Sequence, residues 1–246
     1  EPMTGLVTRA VREFERATGR KSPLELRLSG ALPLARGLGS SAVFRAAAVA
    51  AANEVAGGPL SREELLALVS RLERHTDNAA PCLLGGLTAS GWDGDRVRVL
   101  RAPAPPHFRF VALIPEQRLP TAEARKVLPA RVRREDAVHN LQRALWLFHA
   151  LANGDGEALR GTFDDRLHQP FRVPLVPFLP AVIAAAEQAG AFGGFLSGAG
   201  STVIAVSDEA RAATVAAAMS GALAAAGVKG EVRTLLPDNQ GTRIEV

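Results

Sequence analysis

Two glycines and two serines fall within five residues, Gly37-Leu-Gly-Ser-Ser41, at the start of a helix-forming run. The full string, Pro33-Leu-Ala-Arg-Gly-Leu-Gly-Ser-Ser-Ala42, follows the alternating segment Leu24-Glu-Leu-Arg-Leu-Ser29 and precedes an alanine-rich, proline-free stretch from Ala42 to Val55. Alternation predicts a half-buried strand and the alanine run a helix. A helix that opens at such a loop turns unpaired amides and the positive end of its dipole toward it. Glycine lets a bulky anion reach the backbone, and serine hydroxyls add donors or a metal ligand. Phosphate binding is the chemistry that suits these residues; a serine-capped turn is the plainer alternative. Neither common nucleotide pattern is met. No lysine follows the second glycine, and Ala42 stands where the dinucleotide motif has its third glycine.

Glu73-Arg-His-Thr-Asp-Asn78 gathers two carboxylates, an imidazole and an amide. Glu73 can offer Mg2+ a hard oxygen. His75, Asp77 and Asn78 can hold a hydroxyl in line for phosphoryl transfer. A solvated loop in which Asp77 and Asn78 cap the next element accounts for the same residues equally well. Gly193-Gly-Phe-Leu-Ser-Gly-Ala-Gly-Ser-Thr202 is a second glycine-rich turn, fit for close approach to a ligand or another loop, or simply a tight hairpin. His107, His139 and His149 form no metal-ligand spacing, and Cys82 reads as core packing.

Taken in order, these motifs resemble the GHMP kinases, and within that superfamily the homoserine kinases. Pro33–Ala42 is similar to their phosphate loop. Glu73–Asn78, with Ala80, Pro81 and Leu83–Gly86, is similar to Glu-Gly-His-Pro-Asp-Asn-Val-Ala-Pro-x-Leu-Leu-Gly-Gly, with Arg74 replacing a glycine and Thr76 a proline. Leu196–Thr202 resembles the turn that closes over the phosphates, with Ser201 where proline is usual. Thr121-Ala-Glu-Ala-Arg-Lys-Val-Leu-Pro129 and Asp165-Arg-Leu-His-Gln-Pro-Phe-Arg172 match two further family segments.

The resemblance implies ATP-dependent phosphorylation of the L-homoserine hydroxyl to O-phospho-L-homoserine, on the route to threonine. ATP would lie on Pro33, Leu34, Ala35, Arg36, Gly37, Leu38, Gly39, Ser40, Ser41 and Ala42, closed by Gly198 and Gly200. Mg2+ would be held by Ser41 and Glu73. Homoserine would meet His75, Asn78, Thr121, Arg125 and Arg172, the two arginines facing its carboxylate. Asn78, Asp77 and Arg125 are the implied catalytic groups, with Asp77 the candidate base. Another GHMP small-molecule kinase, of the mevalonate type, and a non-catalytic nucleotide-binding descendant stay open as alternatives.

The implied fold is α+β in two domains. Residues 1–105 would form a ribosomal-protein-S5-like N-terminal domain, here truncated, and residues 106–246 a ferredoxin-like C-terminal one. Family members usually begin with a strand-rich segment carrying Pro-Ala-Ser-Ser-Ala-Asn-Leu-Gly-x-Gly-Phe-Asp. This chain opens instead on apolar positions at helical spacing, Leu6 to Phe14, so an N-terminal truncation is expected.

The elements that must position these residues read as follows. Ser61 and Glu64 form a capping box that opens a helix to Leu72. Arg74–Pro81 reads as a polar loop leading into Cys82–Leu87, with strands at Leu87–Ser90 and Val97–Leu100. Ala102-Pro-Ala-Pro-Pro106 marks a boundary. Beyond it come a strand from Phe108 to Pro115 and helices at Thr121–Val127, Ala137–Ala152, Gly156–Asp164 and Phe178–Ala189. Strands at Phe192–Leu196 and Val203–Val206, a helix at Glu209–Ala226 and a strand at Glu231–Leu235 complete the chain. Strands and helices mix without βαβ alternation, which favours antiparallel sheets.

Bulk properties narrow the partners. The 246 residues are 47% hydrophobic with a net charge of +4. The basic cluster Arg131, Arg133 and Arg134 has no interleaved aromatics, so no nucleic-acid partner is expected. No apolar run approaches the ~18 residues of a membrane span. A single cysteine fits the cytoplasm. Nothing in the sequence sets the oligomeric state, and a homodimer stands as an open expectation.

Overall fold

The structure, a computed structural model, describes residues 3–27, 29–30 and 32–245. The chain divides into two compact units that are discontinuous in sequence: residues 1–32, 39–103 and 238–246 form the first, and residues 33–38 and 104–237 the second. The crossing at Leu38–Gly39 falls inside the phosphate-loop motif.

The first unit is built on four helices, α1 (Met3–Thr18), α2 (Ser40–Val55), α3 (Arg62–Glu73) and α4 (Ala79–Leu84), and on a hairpin of β1 (Leu87–Asp93) and β2 (Arg96–Ala102). Ala46, Ala48 and Ala52 in α2 leave room for Phe14 of α1 and Leu66 and Val69 of α3, all buried in one cluster. α3 begins at the predicted capping box, Ser61 accepting from the Glu64 amide and Glu64 from the Ser61 amide. β1 and β2 pair antiparallel from Leu87 opposite Ala102 to Asp93 opposite Arg96. The segment from Asp238 onward belongs to this unit. The Gly86 amide donates to the Asp238 carbonyl at 2.7 Å, and Arg62 donates to the Leu83, Gln240 and Thr242 carbonyls.

Two expectations change here. The alternating segment at Leu24–Ser29 forms no strand over its described residues, Leu28 lying outside them. Leu24 and Leu26 do pack on the helical core, so the alternation reports one-sided burial without a neighbouring strand to bond. Within the expected Arg74–Leu87 connection, residues 79–84 are the helix α4. Pro81 sits in its first turn, where a missing N–H costs no intrahelical bond.

The second unit carries a four-stranded antiparallel sheet, in the order β4 (Gly193–Leu196), β5 (Val203–Asp208), β3 (Phe108–Pro115), β6 (Gly230–Leu235). Alternate residues of β3 serve two apolar layers. Val111 and Leu113 join a core with α8 (Leu179–Gln188) and α9 (Glu209–Ala225), while Phe108 and Phe110 join one with Ala150 and Leu147 of α6 (Arg134–Asn153). That two-sided burial explains why the strand turns fully apolar. Two short helices complete the unit, α5 (Thr121–Lys126) and α7 (Gln169–Arg172). The helix expected at Gly156–Asp164 is only a 3-10 turn, Glu157–Leu159. Gly156 there meets the Phe192 ring so closely that a Cβ would come within 2.4 Å of it.

Candidate active site

In the first unit, α2 opens on Gly39, which is left-handed at φ 67° and gives no side-chain cap. The first bond back along the helix runs from Val43 N–H to the Gly39 carbonyl. The amides of Ser40, Ser41 and Ala42 therefore have no intrahelical acceptor, and the positive end of the dipole adds to them. A Cβ on Gly39 would stand 3.2 Å from Asn78 Oδ1, so Asn78 lies directly against this helix opening.

Glu73, with its side chain 3% exposed, is the charged centre of the unit. Ser41 Oγ donates to its Oε2 at 2.7 Å, and Arg45 Nη1 donates to its Oε1 at 2.6 Å. His75 Nε2 stands 3.7 Å from the same Oε2, while its Nδ1 pairs with Asp77 Oδ1. The bond from His75 holds the Asp77 carboxyl below its ordinary value, so Asp77 is a carboxylate at neutral pH. Both departures from the family motif have structural consequences. Arg74 caps α3 in the left-handed region at φ 67°, the conformation that favours glycine. Thr76 is buried and accepts a bond from Ser90 Oγ at 2.9 Å.

In the second unit, Pro33–Leu38 lies against the other glycine turn. Ser197 Oγ donates to the Gly37 carbonyl at 3.0 Å, and the Thr202 amide donates to the Arg36 carbonyl at 3.0 Å. A Cβ on Gly37 would come within 2.0 Å of the Ser197 carbonyl oxygen, and one on Gly198 within 3.0 Å of the Gly37 carbonyl oxygen. Backbone packs on backbone here, which requires glycine. Arg36 is spent on the loop itself, donating to the Pro115 and Glu116 carbonyls at 2.7 Å each and to the Leu34 carbonyl. Leu119 N–H holds the Ala35 carbonyl. Ser201, at the family's proline position, is buried and its hydroxyl donates to the Gln117 carbonyl.

Arg125 and Thr121 are exposed on α5. Arg172 is buried, and its Nε has no hydrogen-bond partner. Burial, and then the positive charge of Arg125, pull the Arg172 guanidinium below its ordinary value. Asp165 acts in the other direction, and Arg172 Nη1 reaches the His168 carbonyl at 3.4 Å.

Asp165 and Gln169 organise the loop that carries Arg172, and sequence reasoning gave neither a role. Asp165 accepts from the Leu167, His168 and Gln169 amides and from Asn140 Nδ2 at 2.6 Å. Burial alone would raise its pKa, but these donors hold it low. Gln169 Oε1 accepts from the Leu196 amide at 2.8 Å, fixing the strand that enters the glycine turn. His168 bonds the Gly198 backbone; burial and then the Arg172 charge push its pKa down, which keeps it neutral. The only local hint of these contacts was the motif Asp165–Arg172 itself.

Comparison with known proteins accords with this geometry. The patterns described as the GHMP kinases N terminal domain and the GHMP kinases C terminal match residues 5–86 and 147–225. The homoserine kinase of Moorella thermoacetica is 45% identical over 234 residues, 95% of this chain and 79% of its own. That of the Nostoc strain PCC 7120 is 44% identical over 230 residues, 92% of this chain and 73% of its own. The chain belongs to the homoserine kinase family of GHMP kinases. The crystal structure of homoserine kinase from Cytophaga hutchinsonii superposes with a TM-score of 0.86 at 26% identity, covering 96% of this chain and 77% of that one. A Streptococcus pneumoniae phosphomevalonate kinase, at 14% identity and a TM-score of 0.72, shares the fold.

Within that family, each unit holds its own share of the residues singled out from the sequence. Gly39, Ser40, Ser41, Ala42, Glu73, His75, Asp77 and Asn78 belong to the first unit, and Pro33–Leu38, Thr121, Arg125, Arg172, Gly198 and Gly200 to the second. Cys82 is partly buried, and burial raises its thiol pKa, in keeping with packing. No helix among the described residues is long and apolar enough to cross a membrane.

Proposed function

We propose that the chain phosphorylates the side-chain hydroxyl of L-homoserine with ATP, releasing ADP and O-phospho-L-homoserine, as the names of its relatives indicate for those proteins. The observation that carries the nucleotide half is the opening of α2, where three successive amides without helical acceptors follow a left-handed glycine. The β- and γ-phosphates lie on the amides of Ser40, Ser41 and Ala42. The glycine turn around Gly198 and Gly200 holds Gly37 in the conformation the loop needs. Arg36 supports the loop through carbonyls rather than meeting phosphate with its charge.

The donor set fits Mg2+. Ser41 Oγ and Glu73 are hard oxygens 2.7 Å apart, and among the described residues no group of three or more acidic, His or Cys side chains competes for a metal. An ion with one or two protein ligands takes the rest of its shell from phosphate and water, and when bound it neutralises charge on the β- and γ-phosphates. Arg45, bonded to Oε1, holds Glu73 oriented for that role.

The buried guanidinium of Arg172 and the exposed one of Arg125 take the substrate carboxylate, with Thr121 sharing the Arg125 face of α5. Asn78 and His75 orient the hydroxyl. Its oxygen forms the new bond to the γ-phosphorus as the bond to the β-bridging oxygen breaks and ADP leaves. The hydroxyl proton passes to Asp77, whose low pKa suits a late acceptor in a loose transition state. Catalysis is thus mainly positioning and charge neutralisation.

The test is ADP release with homoserine, mevalonate and galactose as acceptors. Turnover with homoserine alone is expected. Preference for mevalonate would make the chain another GHMP kinase, and silence with every acceptor, alongside intact ATP binding, would make it a nucleotide-binding descendant.

A further inference from the structure

α7 is four residues long and carries Arg172 as its last residue. A single turn of helix has little stability of its own, so its place is set by what its ends are tied to. The C-terminal side is seated by packing. Val176, whose amide bonds the Arg172 carbonyl at 3.1 Å, lies in the core cluster that holds Leu196 and Val203. The N-terminal side enters from the loop ordered by Asp165, which reaches α6 through Asn140. A separate tie holds that end to the sheet.

Gln169, the first residue of α7, supplies that tie with both ends of its side-chain amide. β4 is an edge strand, and the Ser197 N–H beyond it already faces β5's side, bonding the Thr202 carbonyl at 2.9 Å. Amides alternate sides along an antiparallel strand, so the Leu196 N–H points out at the open edge. Gln169 Oε1 accepts it at 2.8 Å, and Gln169 Nε2 donates to the Phe163 carbonyl at 3.3 Å. One side of Gln169 faces an apolar cavity of about 310 Å3 beside α6. Packing does not wedge the side chain from there, and the two bonds set its position. Gln169 and Arg172 are three residues apart, on one side of the helix.

We propose that Gln169 is a positioning residue for the substrate carboxylate: it fixes the start of α7 to the edge of β4 and so aims the Arg172 guanidinium. The proposal rests on Arg172 meeting the homoserine carboxylate. Gln169 is engaged by protein backbone at both ends, so it acts through Arg172 and not on the substrate. A guanidinium–carboxylate bond weakens steeply with angle, so a small rotation of α7 costs affinity for the carboxylate without touching the reacting hydroxyl. Leu196 also leads into the glycine turn, which makes support of that turn the rival role. The carboxylate and the nucleotide tell the two apart.

The test measures dissociation constants by NMR titration of the full chain with L-homoserine, and separately with 3-aminopropan-1-ol, which is homoserine without its carboxylate. Four forms are compared: unaltered, Gln169→Met, Arg172→Met and the double variant, each checked by thermal melting to be folded at the titration temperature. Gln169→Met should weaken homoserine about tenfold and leave 3-aminopropan-1-ol within about twofold. The double variant should bind homoserine as Arg172→Met does, because no guanidinium is left to aim. Gln169→Glu has the same shape, lacks the donor for Phe163 and brings a carboxylate within one turn of Arg172. It should weaken homoserine at least as much, and it decides the matter if the Met variant does not fold. Unchanged homoserine affinity, equal losses for both ligands, or losses that multiply in the double variant would each overturn the proposal. A loss confined to ATP, titrated on its own, would overturn it too and give Gln169 to the glycine turn. Binding and not turnover is read. A chain that shows the expected pattern but releases no ADP would therefore sink the kinase reading alone, whereas ADP release with no effect of Gln169→Met would sink this proposal alone.

Discussion

Two buried charges in this protein are handled in opposite ways. Glu73 is compensated from within its own unit, by Arg45 and the Ser41 hydroxyl. Arg172 is equally buried, yet the lowering influence of Arg125 outweighs the raising one of Asp165, its Nη1 has only the His168 carbonyl at 3.4 Å, and its Nε has no partner. A compensated charge can be built into a fold without a ligand. One whose counter-charge is outweighed by a second cation lowers stability until an anion arrives. In the proposed reaction this leaves Glu73 pre-set beside the opening of α2 and Arg172 as the group that would take the substrate carboxylate.

The largest effect should follow from breaking the compensated side. Glu73→Gln removes a charge that both Arg45 and the proposed metal need. kcat/KM measured by ADP release should fall by about a thousandfold or more, roughly 4 kcal/mol of transition-state stabilisation. Thermal unfolding should also move down, by about 3 kcal/mol for a broken buried pair. Retained activity would remove Glu73 from the site. Arg172→Met should separate the two quantities. KM for homoserine should rise by about 30- to 100-fold, the worth of a charge-assisted bond, while the melting temperature holds or rises. A drop of several degrees instead would show that Arg172 is structurally compensated after all, and the contrast would fail.

A pH series sharpens the cationic side. The neutral form of His168 is favoured in the folded state by burial and by the nearby Arg172 charge, so its folded pKa lies below 6.5. The unfolded chain then binds more protons as pH falls through 6.5, and stability declines on acidification from that point down to the folded pKa. Melting temperatures taken downward from neutral pH should show this decline, and His168→Gln should flatten it. An unchanged profile in the variant would place the acid-sensitive group elsewhere.

How much of this could be read from the chain depends on whether a residue acts locally. The opening of α2 and the capping box at Ser61 are local arrangements that residue type and spacing bring out, whereas Glu73–Asn78 read equally well as a solvated loop and the partners of Glu73, Ser41 and Arg45, stand 32 and 28 residues away. Gly37 was singled out for close approach by an anion, but what surrounds it is the Ser197 carbonyl, 160 residues away in sequence. Arg36 looked like a phosphate ligand, and only the fold shows its guanidinium spent on Pro115 and Glu116. Asp165 and Gln169 act through partners on α6 and β4, a relation that no spacing rule carries. The strand expected at Leu24 failed for a related reason, since a ladder needs a neighbour and alternation records only which side is buried.

The smallest predicted effect bears on how the compensated cluster is held. Arg74 links Glu73, the last residue of α3, to His75 and Asp77, and it does so at φ 67°. A side chain in that region is disfavoured by about 1 kcal/mol relative to glycine, which has no Cβ to crowd the carbonyl. In the family motif that this segment resembles, a glycine stands where this chain has Arg74. Arg74→Gly should therefore raise unfolding free energy by about 0.5–1 kcal/mol, less what glycine gives back through a more flexible unfolded chain. Because Glu73 keeps Ser41 and Arg45, and His75 keeps Asp77, kcat and both KM values should stay within about twofold. A loss of activity without loss of stability would mean that the strained turn itself aims His75 and Asp77, and that the Glu73 cluster depends on its backbone as much as on its bonds.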